Sequence, residues 1–208
     1  MSESPAVVFV VDDDASVRRG LARLLKAHGY QVQVFATARE FLHHDGDHGN
    51  ACLVLDLQLP GLSGLDLQAE LAAAGRTMPI VFVTGHGDVP SSVRAMKAGA
   101  VDFLPKPVRA ATLLEAVRTA VERDLRARRA RETVDAAKAR LRTLTPRERE
   151  VLALVVAGKL NKQVAFDLGI TLKTVKAHRG RIMEKLGASS VAELVRLAEK
   201  AGIGLSES

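Results

Sequence analysis

The sequence predicts a doubly wound α/β domain with a five-stranded parallel sheet, followed by a small all-α domain of four helices. Three observations carry that reading. Residues 1–121 alternate short, nearly continuous Val/Leu/Ile runs with helical patterns, as strands buried on both faces of a parallel sheet do. Beyond residue 143 only helical patterns occur, opened by Ser or Thr and closed by Gly. The charge also divides: residues 1–121 hold 11 Lys/Arg and 13 Asp/Glu, whereas residues 122–208 hold 19 and 11. A near-neutral first part and a basic second part point to a polyanion as the partner of the second.

Taken in order, the strand candidates are Ala6–Val11, Gln31–Phe35, Cys52–Leu55, Ile80–Val83 and Val101–Leu104. Between the first two, Val17, Leu21, Leu24, Leu25 and His28 recur at helical spacing, and Gly29 supplies a stop. Helical patterns also fit Ala38–His44, Leu65–Ala74, Pro90–Ala98 and the stretch from Ala110 onward. Five strand–helix units in this length imply a doubly wound sheet, whose ligands bind beyond the carboxyl ends of the strands.

Residues 122–143 form a charged bridge. "ERDLRARRARETVDAAKARLRT" is rich in helix formers and in opposite charges at i,i+4: Glu122–Arg126, Asp124–Arg128, Arg128–Glu132 and Arg131–Asp135. No apolar seam continues past Leu125, so a solvated extension of the fifth helix is expected rather than a coiled coil, with a partly melted linker as the alternative. Residues 144–208 begin with Thr145 as N-cap, Pro146 at the first helical position and Glu148 completing a capping box. Gly158 closes that helix, "NKQVAFDL" makes a second, Gly169 sits in a turn, and Leu172–Leu186 makes a third. Ser190 and Glu193 read as another capping box, opening a last helix that runs to about Lys200. A short helix joined by a tight turn to a longer one is the pattern of a helix-turn-helix.

Composition narrows the setting. The single cysteine, Cys52, excludes an internal disulfide framework and fits a reducing cytoplasm, and no apolar segment of spanning length occurs. Cys52 itself reads as a small buried hydrophobe.

At the strand ends the sheet gathers residues of particular chemistry. The first strand delivers Asp12 and Asp13, the third Asp56, the fourth Thr84 and the fifth Lys106. Three carboxylates suit Mg²⁺, which prefers oxygen ligands and few of them from protein. One carboxylate can then attack phosphorus, beside a lysine and a hydroxyl that hold phosphoryl oxygens. Aspartates after strands also cap helices, which is the expectation for Asp14. "HHDGDHGN", with His43, His44, Asp45, Asp47 and His48, offers ligand types for zinc or nickel, but its Gly/Asp content between a helix and a strand reads as a solvated loop.

In order and spacing, "VVDDD", "LVLDLQLPGLSGLDL", "VTGHGD" and "KAGAVDFLPKP" resemble the receiver domain of two-component response regulators, over essentially all of residues 5–121. The resemblance implies the flavodoxin-like fold and Asp56 as phosphoryl acceptor. It implies Asp13 and Asp56 as direct Mg²⁺ ligands, Asp12 as a ligand through water, and the Gln58 carbonyl as a further one. Thr84 and Lys106 would bind the phosphoryl group, Phe103 would move with Thr84, and the Lys106–Pro107 bond would be cis. The chain departs from the commonest pattern at Pro105, and Gln58 and His86 occupy positions that tune dephosphorylation. An aspartyl-nucleophile phosphohydrolase would need a second Asp where Gln58 stands. The expectation is therefore no enzyme beyond self-phosphorylation from a donor and self-dephosphorylation.

In the third helix of the second domain, Leu172, Val175, Ile182 and Leu186 share a face that would pack inward. Lys173, Lys176, Ala177 and Gly180 make another face, basic but flat, with Arg179, Arg181 and Lys185 beside it to reach phosphates. "LTPREREVLALVVAGKLNKQVAFDLGITLKTVKAHRGRIMEKLGASSVAELV" resembles the LuxR-type helix-turn-helix over about residues 144–203. The pairing of the two domains is similar to the FixJ-like branch. It implies DNA contacts from Lys173, Thr174, Lys176, Ala177, Arg179, Arg181 and Lys185. Expected partners are a sensor histidine kinase, promoter DNA, RNA polymerase where transcription is activated, and a second copy of the chain after phosphorylation. No membrane is expected. The competing expectation, a phosphorylation-independent DNA-binding regulator with a vestigial receiver, sits badly with a complete set of Asp12, Asp13, Asp56, Thr84 and Lys106.

Overall fold

The computed structural model describes residues 5–44, 49–85 and 89–202. The first part runs β1 (Val7–Val11), α1 (Ala15–Ala27), β2 (Gln31–Phe35), α2 (Ala38–Leu42), β3 (Ala51–Leu55), α3 (Gly64–Ala73), β4 (Ile80–Thr84), α4 (Val89–Lys97) and β5 (Asp102–Pro105). Then come α5 (Ala110–Arg142), α6 (Pro146–Val156), α7 (Asn161–Asp167), α8 (Leu172–Leu186) and α9 (Val191–Lys200). The chain divides into two compact units between Arg128 and Arg129, a point inside α5.

In the first unit the five strands are all parallel, in the order β2-β1-β3-β4-β5. β1, β3 and β4 are buried along their whole length, which is why their sequences are apolar without alternation. Successive residues point to opposite faces. Phe9, Leu53 and Phe82 meet Phe41, Leu67 and Leu71 on one side, and Val10, Val54 and Val83 meet Leu25, Leu113 and Val117 on the other. Chain order reverses between β1 and β3, which opens the crevice at their carboxyl ends where a ligand site belongs.

Caps fix where the helices begin. Asp14 accepts from the Ser16 and Val17 amides at 2.6 and 3.4 Å, so it starts α1 as expected. Ser63 and Asp66 form a reciprocal capping box at α3. The expected helical bridge is present as one continuous α5, but Asp124 departs from its expected surface role. Its side chain is 3% exposed and accepts from the Ala51 amide at 3.0 Å as well as from Arg128 Nε at 2.7 Å. The carboxylate thereby satisfies the first backbone donor of β3, and no i,i+4 rule signals such a distant partner. Glu122 is also re-paired: its carboxylate takes Arg118, while Arg126 Nε donates to the Glu122 carbonyl.

Of "HHDGDHGN", His43 Nδ1 donates back to the Arg39 carbonyl and the His44 ring packs 5.8 Å from Phe9 and 5.3 Å from Phe35. Asp45, Asp47 and His48 lie outside the described residues. Cys52 is fully buried, and burial pushes its thiol far above the usual range.

The second unit packs α6 to α9 around Val151, Leu152, Val164, Val175, Ile182, Leu186 and Leu194. Thr145, Pro146 and Glu148 open α6 as the sequence requires, and Gly169, at φ 62°, makes the tight turn before α8. Leu172 does not join the buried stripe. It sits in the first turn of α8 at 38% exposure, so Val175, Ile182 and Leu186 carry that packing alone. At α9, Ser190 caps the Glu193 amide, but the Glu193 carboxylate takes the backbone amide and hydroxyl of Ser189, one residue earlier than a capping box demands.

One ion pair holds the start of α6 to the end of α8. Glu148 is 2% exposed, and its carboxylate accepts from Lys185 Nζ at 2.7 Å and from the Thr145 amide at 2.8 Å. The Lys185 ammonium first, and the Thr145 amide next, hold the Glu148 carboxyl down to about 2. A carboxyl depressed on folding stabilises above its unfolded value, near 4.5, and loses that stabilisation as pH falls toward 2. The second unit is therefore expected to lose up to about 3 kcal/mol of stability across that interval. Lys185→Met should flatten the loss and cost about 1.5–3 kcal/mol at neutral pH. Denaturant unfolding of both chains between pH 7 and pH 2.5, followed by NMR signals of α6 and α8, checks both statements.

Candidate functional site

The ends of the two neighbouring strands β1 and β3 converge on a group of oxygens. Asp12 and Asp13 follow β1 and Asp56 follows β3, and the backbone locks the two ends together through the Asp56 amide on the Val11 carbonyl at 2.8 Å. One carboxylate oxygen from each of the three lies within 4.8 Å of the others. Asp12 is 1% exposed, Asp56 6%, and Asp13 faces solvent. Unpaired, such a cluster would repel itself.

Lys106, just past β5, supplies the counter-charge. Its ammonium lies 2.6 Å from Asp12 Oδ2 and 2.6 Å from Asp56 Oδ2. The Lys106 amide donates to the Thr84 carbonyl at 2.8 Å, which sets the side chain's point of departure, and the Lys106–Pro107 bond is cis. Backbone amides take the remaining oxygens: Asp14 N donates to Asp12 Oδ1 at 2.9 Å and Gln58 N to Asp56 Oδ1 at 3.1 Å. Arg18 Nη1 donates to the Asp12 carbonyl at 2.6 Å and so braces the strand end from α1.

Titration follows this geometry. Burial raises the Asp12 carboxyl above its usual range, and the nearby Asp56 charge adds to that, against the hydrogen bonds from Lys106 and Asp14. Burial works against the Lys106 ammonium, but hydrogen bonds and charge from Asp12 and Asp56 outweigh it and lift the lysine above its ordinary value. Two carboxylates share one cation, leaving an excess of negative charge that a second cation would relieve.

The expected residues are brought together in different ways. Asp13, Asp56, Gln58 and Lys106 line one open cleft of about 470 Å³. Thr84 is buried at the end of β4, paired in register with Pro105. Phe103 lies on β5 on the same sheet face as Thr84 and stacks at a tilt on Phe82, with ring centres 6.0 Å apart. Pro105 costs the sheet no central bond because it closes an edge strand. His86 lies outside the described residues.

In the second unit α8 presents Lys173, Lys176, Ala177, Gly180 and Arg181 to solvent. Thr174 is half-buried and bonded to Thr171, the N-cap. Two expected contacts are engaged inside the domain. Arg179 bonds the Asn161 side chain at the start of α7, and Lys185 holds Glu148. Periodicity placed both beside the basic face, but it could not show that acceptors on α7 and α6 wait for them. Arg147 Nη2 likewise reaches the Leu168 carbonyl at 2.6 Å and ties α6 to the turn between α7 and α8.

With this geometry in view, comparison with known proteins is direct. Residues 8–118 match the response regulator receiver domain, and residues 142–198 match the bacterial regulatory proteins of the luxR family. The chain is 51% identical over 202 residues to nodulation protein W of Bradyrhizobium diazoefficiens, covering 97% of this chain and 89% of that protein. The chain belongs to the two-component response regulators. To the transcriptional regulatory protein FixJ of Rhizobium meliloti the regulator is 43% identical over 199 residues, covering 96% of its own length and 98% of FixJ. Its fold matches the solved structure of the response regulator StyR with a TM-score of 0.87 at 49% identity, over 95% of this chain and all of that one. The regulator thus joins a receiver domain to a LuxR-type DNA-binding domain and acts in transcription regulation. Among the described residues no helix is long and apolar enough to cross a membrane.

One residue of the site went unnoticed in the sequence. Gly64, the first residue of α3, passes so close to β3 that a Cβ built on it would lie 2.3 Å from the Asp56 carbonyl and 3.1 Å from the Phe82 ring. Only glycine lets α3 start there, and the signal was a Gly directly after a capping Ser. Gly64→Ala should force the Asp56 backbone to shift, lower receiver stability by about 1–3 kcal/mol, and slow phosphoryl uptake. Thermal unfolding together with acetyl phosphate uptake by mass spectrometry tests this; an unchanged uptake rate would dissociate Gly64 from the site.

Proposed function

We propose that Asp56 accepts a phosphoryl group from a partner histidine kinase in the cytoplasm, and that the phosphorylated chain dimerises and binds promoter DNA. The observation that carries this is the shared Lys106 ammonium between Asp12 and Asp56, in a crevice open to solvent. An Asp56 oxygen attacks phosphorus as the donor's phosphorus–nitrogen bond breaks, and the leaving imidazole keeps that electron pair and takes a proton. Asp12, Asp13, Asp56 and the Gln58 carbonyl are hard oxygen donors of the kind Mg²⁺ takes. A Mg²⁺ held by these donors would supply neutralisation of charge on the transferring oxygens. Lys106 exchanges its bond to Asp56 for one to a phosphoryl oxygen, and Thr84 supplies a hydroxyl from the end of β4.

Capture of the phosphoryl group by Thr84 frees space on the sheet face that Phe103 shares, so the aromatic ring follows it. The neighbouring α4 carries Val89, Val93 and Met96, at 75, 44 and 45% exposure, spaced as one helical stripe. An exposed stripe of this kind supports a symmetric contact between two copies. Intact mass after incubation with acetyl phosphate should show one added phosphoryl group on the wild type, none on Asp56→Asn, and none after magnesium is chelated. The phosphorylated sample should sediment as a dimer. An equal gain in the mutant removes Asp56 as acceptor.

For DNA, α8 enters the major groove with Lys176 and Ala177 at base edges and Lys173, Thr174 and Arg181 toward phosphates. Arg179 and Lys185 contribute mainly by fixing the helix, and RNA polymerase is the further partner where the regulator activates. Two copies would read a roughly palindromic operator. Losing a base contact in Lys176→Ala should cost about 1–3 kcal/mol and relax preference at one position. Arg181→Ala should weaken all sequences alike and lower the salt slope by about one unit. Titration over a randomised operator library at several salt concentrations separates the two, and an even loss for Lys176→Ala would reduce that lysine to a phosphate anchor.

A further inference from the structure

The sheet has an open edge at β2, which ends the strand order and pairs with β1 alone. The Gln31 amide donates to the Ala6 carbonyl at 3.0 Å, and the Phe35 carbonyl accepts from the Asp12 amide at 3.3 Å. Odd-numbered residues of β2 therefore spend their backbone groups on β1, and in a parallel strand the residues between them point theirs the other way. The N–H and C=O groups of Val32 and Val34 thus face outward, and among the described residues no backbone partner takes them. Native edges are ordinarily blunted by a charge, a proline or a bulge. The "QVQVF" of β2 holds no charge and no proline, and its register with β1 runs without a bulge. Val34 is moreover 47% exposed.

Beside that edge runs an open groove of about 610 Å³, lined by Val32 and Val34 on the strand side and by the small Ala15 and Ala22 on the α1 side. Its charge has one sign: four cations line it and, among the described residues, no carboxylate does. Arg18 is committed to the Asp12 carbonyl. Arg19, Arg23 and Lys26 are exposed, and among the described residues none of the three has an ion pair or a side-chain hydrogen bond. At i, i+4 and i+7 they form one stripe of α1. Arg19 and Arg23 stand about 6 Å apart along the helix axis, at ~1.5 Å per residue. Alternate residues of a strand stand about 6.6 Å apart. A strand added to β2 with acids at alternate positions would present its carboxylates in step with those two guanidiniums.

We propose that the β2 edge takes an extended acidic segment of a partner protein, added to the sheet as a further strand, with its backbone on Val32 and Val34 and its alternate carboxylates on Arg19 and Arg23. Charge alone would suit nucleic acid or an anionic lipid surface equally well. What selects a peptide is the row of free N–H and C=O groups, donors and acceptors in alternation, which another extended backbone matches along its length. The inference does not rest on the phosphorylation of Asp56. It does bear on that site, because Arg18 in the same groove braces the Asp12 carbonyl.

The test uses the full-length chain without phosphodonor. An end-blocked hexapeptide alternating Glu and Val is titrated while the backbone amides of Val32 and Val34 are followed by ¹⁵N NMR and by hydrogen exchange. Both signals should shift saturably, and exchange at both should slow at least about tenfold at saturation. Two control peptides, one with Lys in place of Glu and one N-methylated throughout, should each bind at least about tenfold more weakly. Arg19→Gln with Arg23→Gln, confirmed folded by circular dichroism, should weaken binding of the Glu/Val peptide about three- to tenfold. Equal affinity of either control, or unslowed exchange at Val32 and Val34, would overturn strand addition by an acidic segment. A single-stranded oligonucleotide or phosphatidylserine vesicles that shift the same amides at lower concentration than the peptide would make nucleic acid or lipid the occupant and sink the proposal. No saturable shift with the peptide would leave the edge unused and end it. Binding undiminished in the doubly substituted chain would remove the acidic character of the partner, and the proposal with it.

Discussion

Everything in the receiver depends on one ammonium. Asp12 and Asp56 come from strands that are neighbours in the sheet, so their carboxylates are pressed together by the backbone whether or not the charges agree. Lys106 reconciles them at 2.6 Å to each, reaching in from the far side of the sheet after β5. That demand orders the rest. β5 must end where its Lys106 amide meets Thr84, α3 must begin on a glycine beside Asp56, and Arg18 must brace the first strand end from α1. The site is charged by construction: two buried carboxylates share one counter-charge.

The DNA-binding unit follows similar logic with a different purpose. Its ion pair, buried Glu148 with exposed Lys185, lies between the N-terminus of one helix and the C-terminus of another, and the capping box at Thr145 uses the same carboxylate. A buried acid with an ammonium and a backbone amide on it has no orientation to spare. The pair therefore ties the end of α8 to the start of α6, while Arg179 on Asn161 ties its middle to the start of α7.

Much of this was legible in the sequence, and the reasons for what was not are physical. Strands, caps and the acidic set were readable because they depend on local spacing: apolar runs, Asp14 before Ala15, Thr145 three residues before Glu148. Asp124, Lys185 and Gln68 were not readable, because their partners lie 73, 37 and 27 residues away. A polar residue on a helix looks solvated until the fold places an acceptor or donor against it. Leu172 failed for a related reason. Periodicity gives the face a residue belongs to but not whether the core extends as far as the helix's first turn.

Gly180 carries a consequence for how such a protein changes over generations. It stands in the middle of α8, facing solvent, and a side chain built there would meet nothing within 4 Å. Glycine at an exposed helix interior costs about 1 kcal/mol against alanine, so almost any replacement strengthens the helix while altering its exposed basic face. A different exposed face of α8 is thus reachable from this chain by a single substitution that the fold would welcome. Most positions force a choice between stability and novelty, and this one does not.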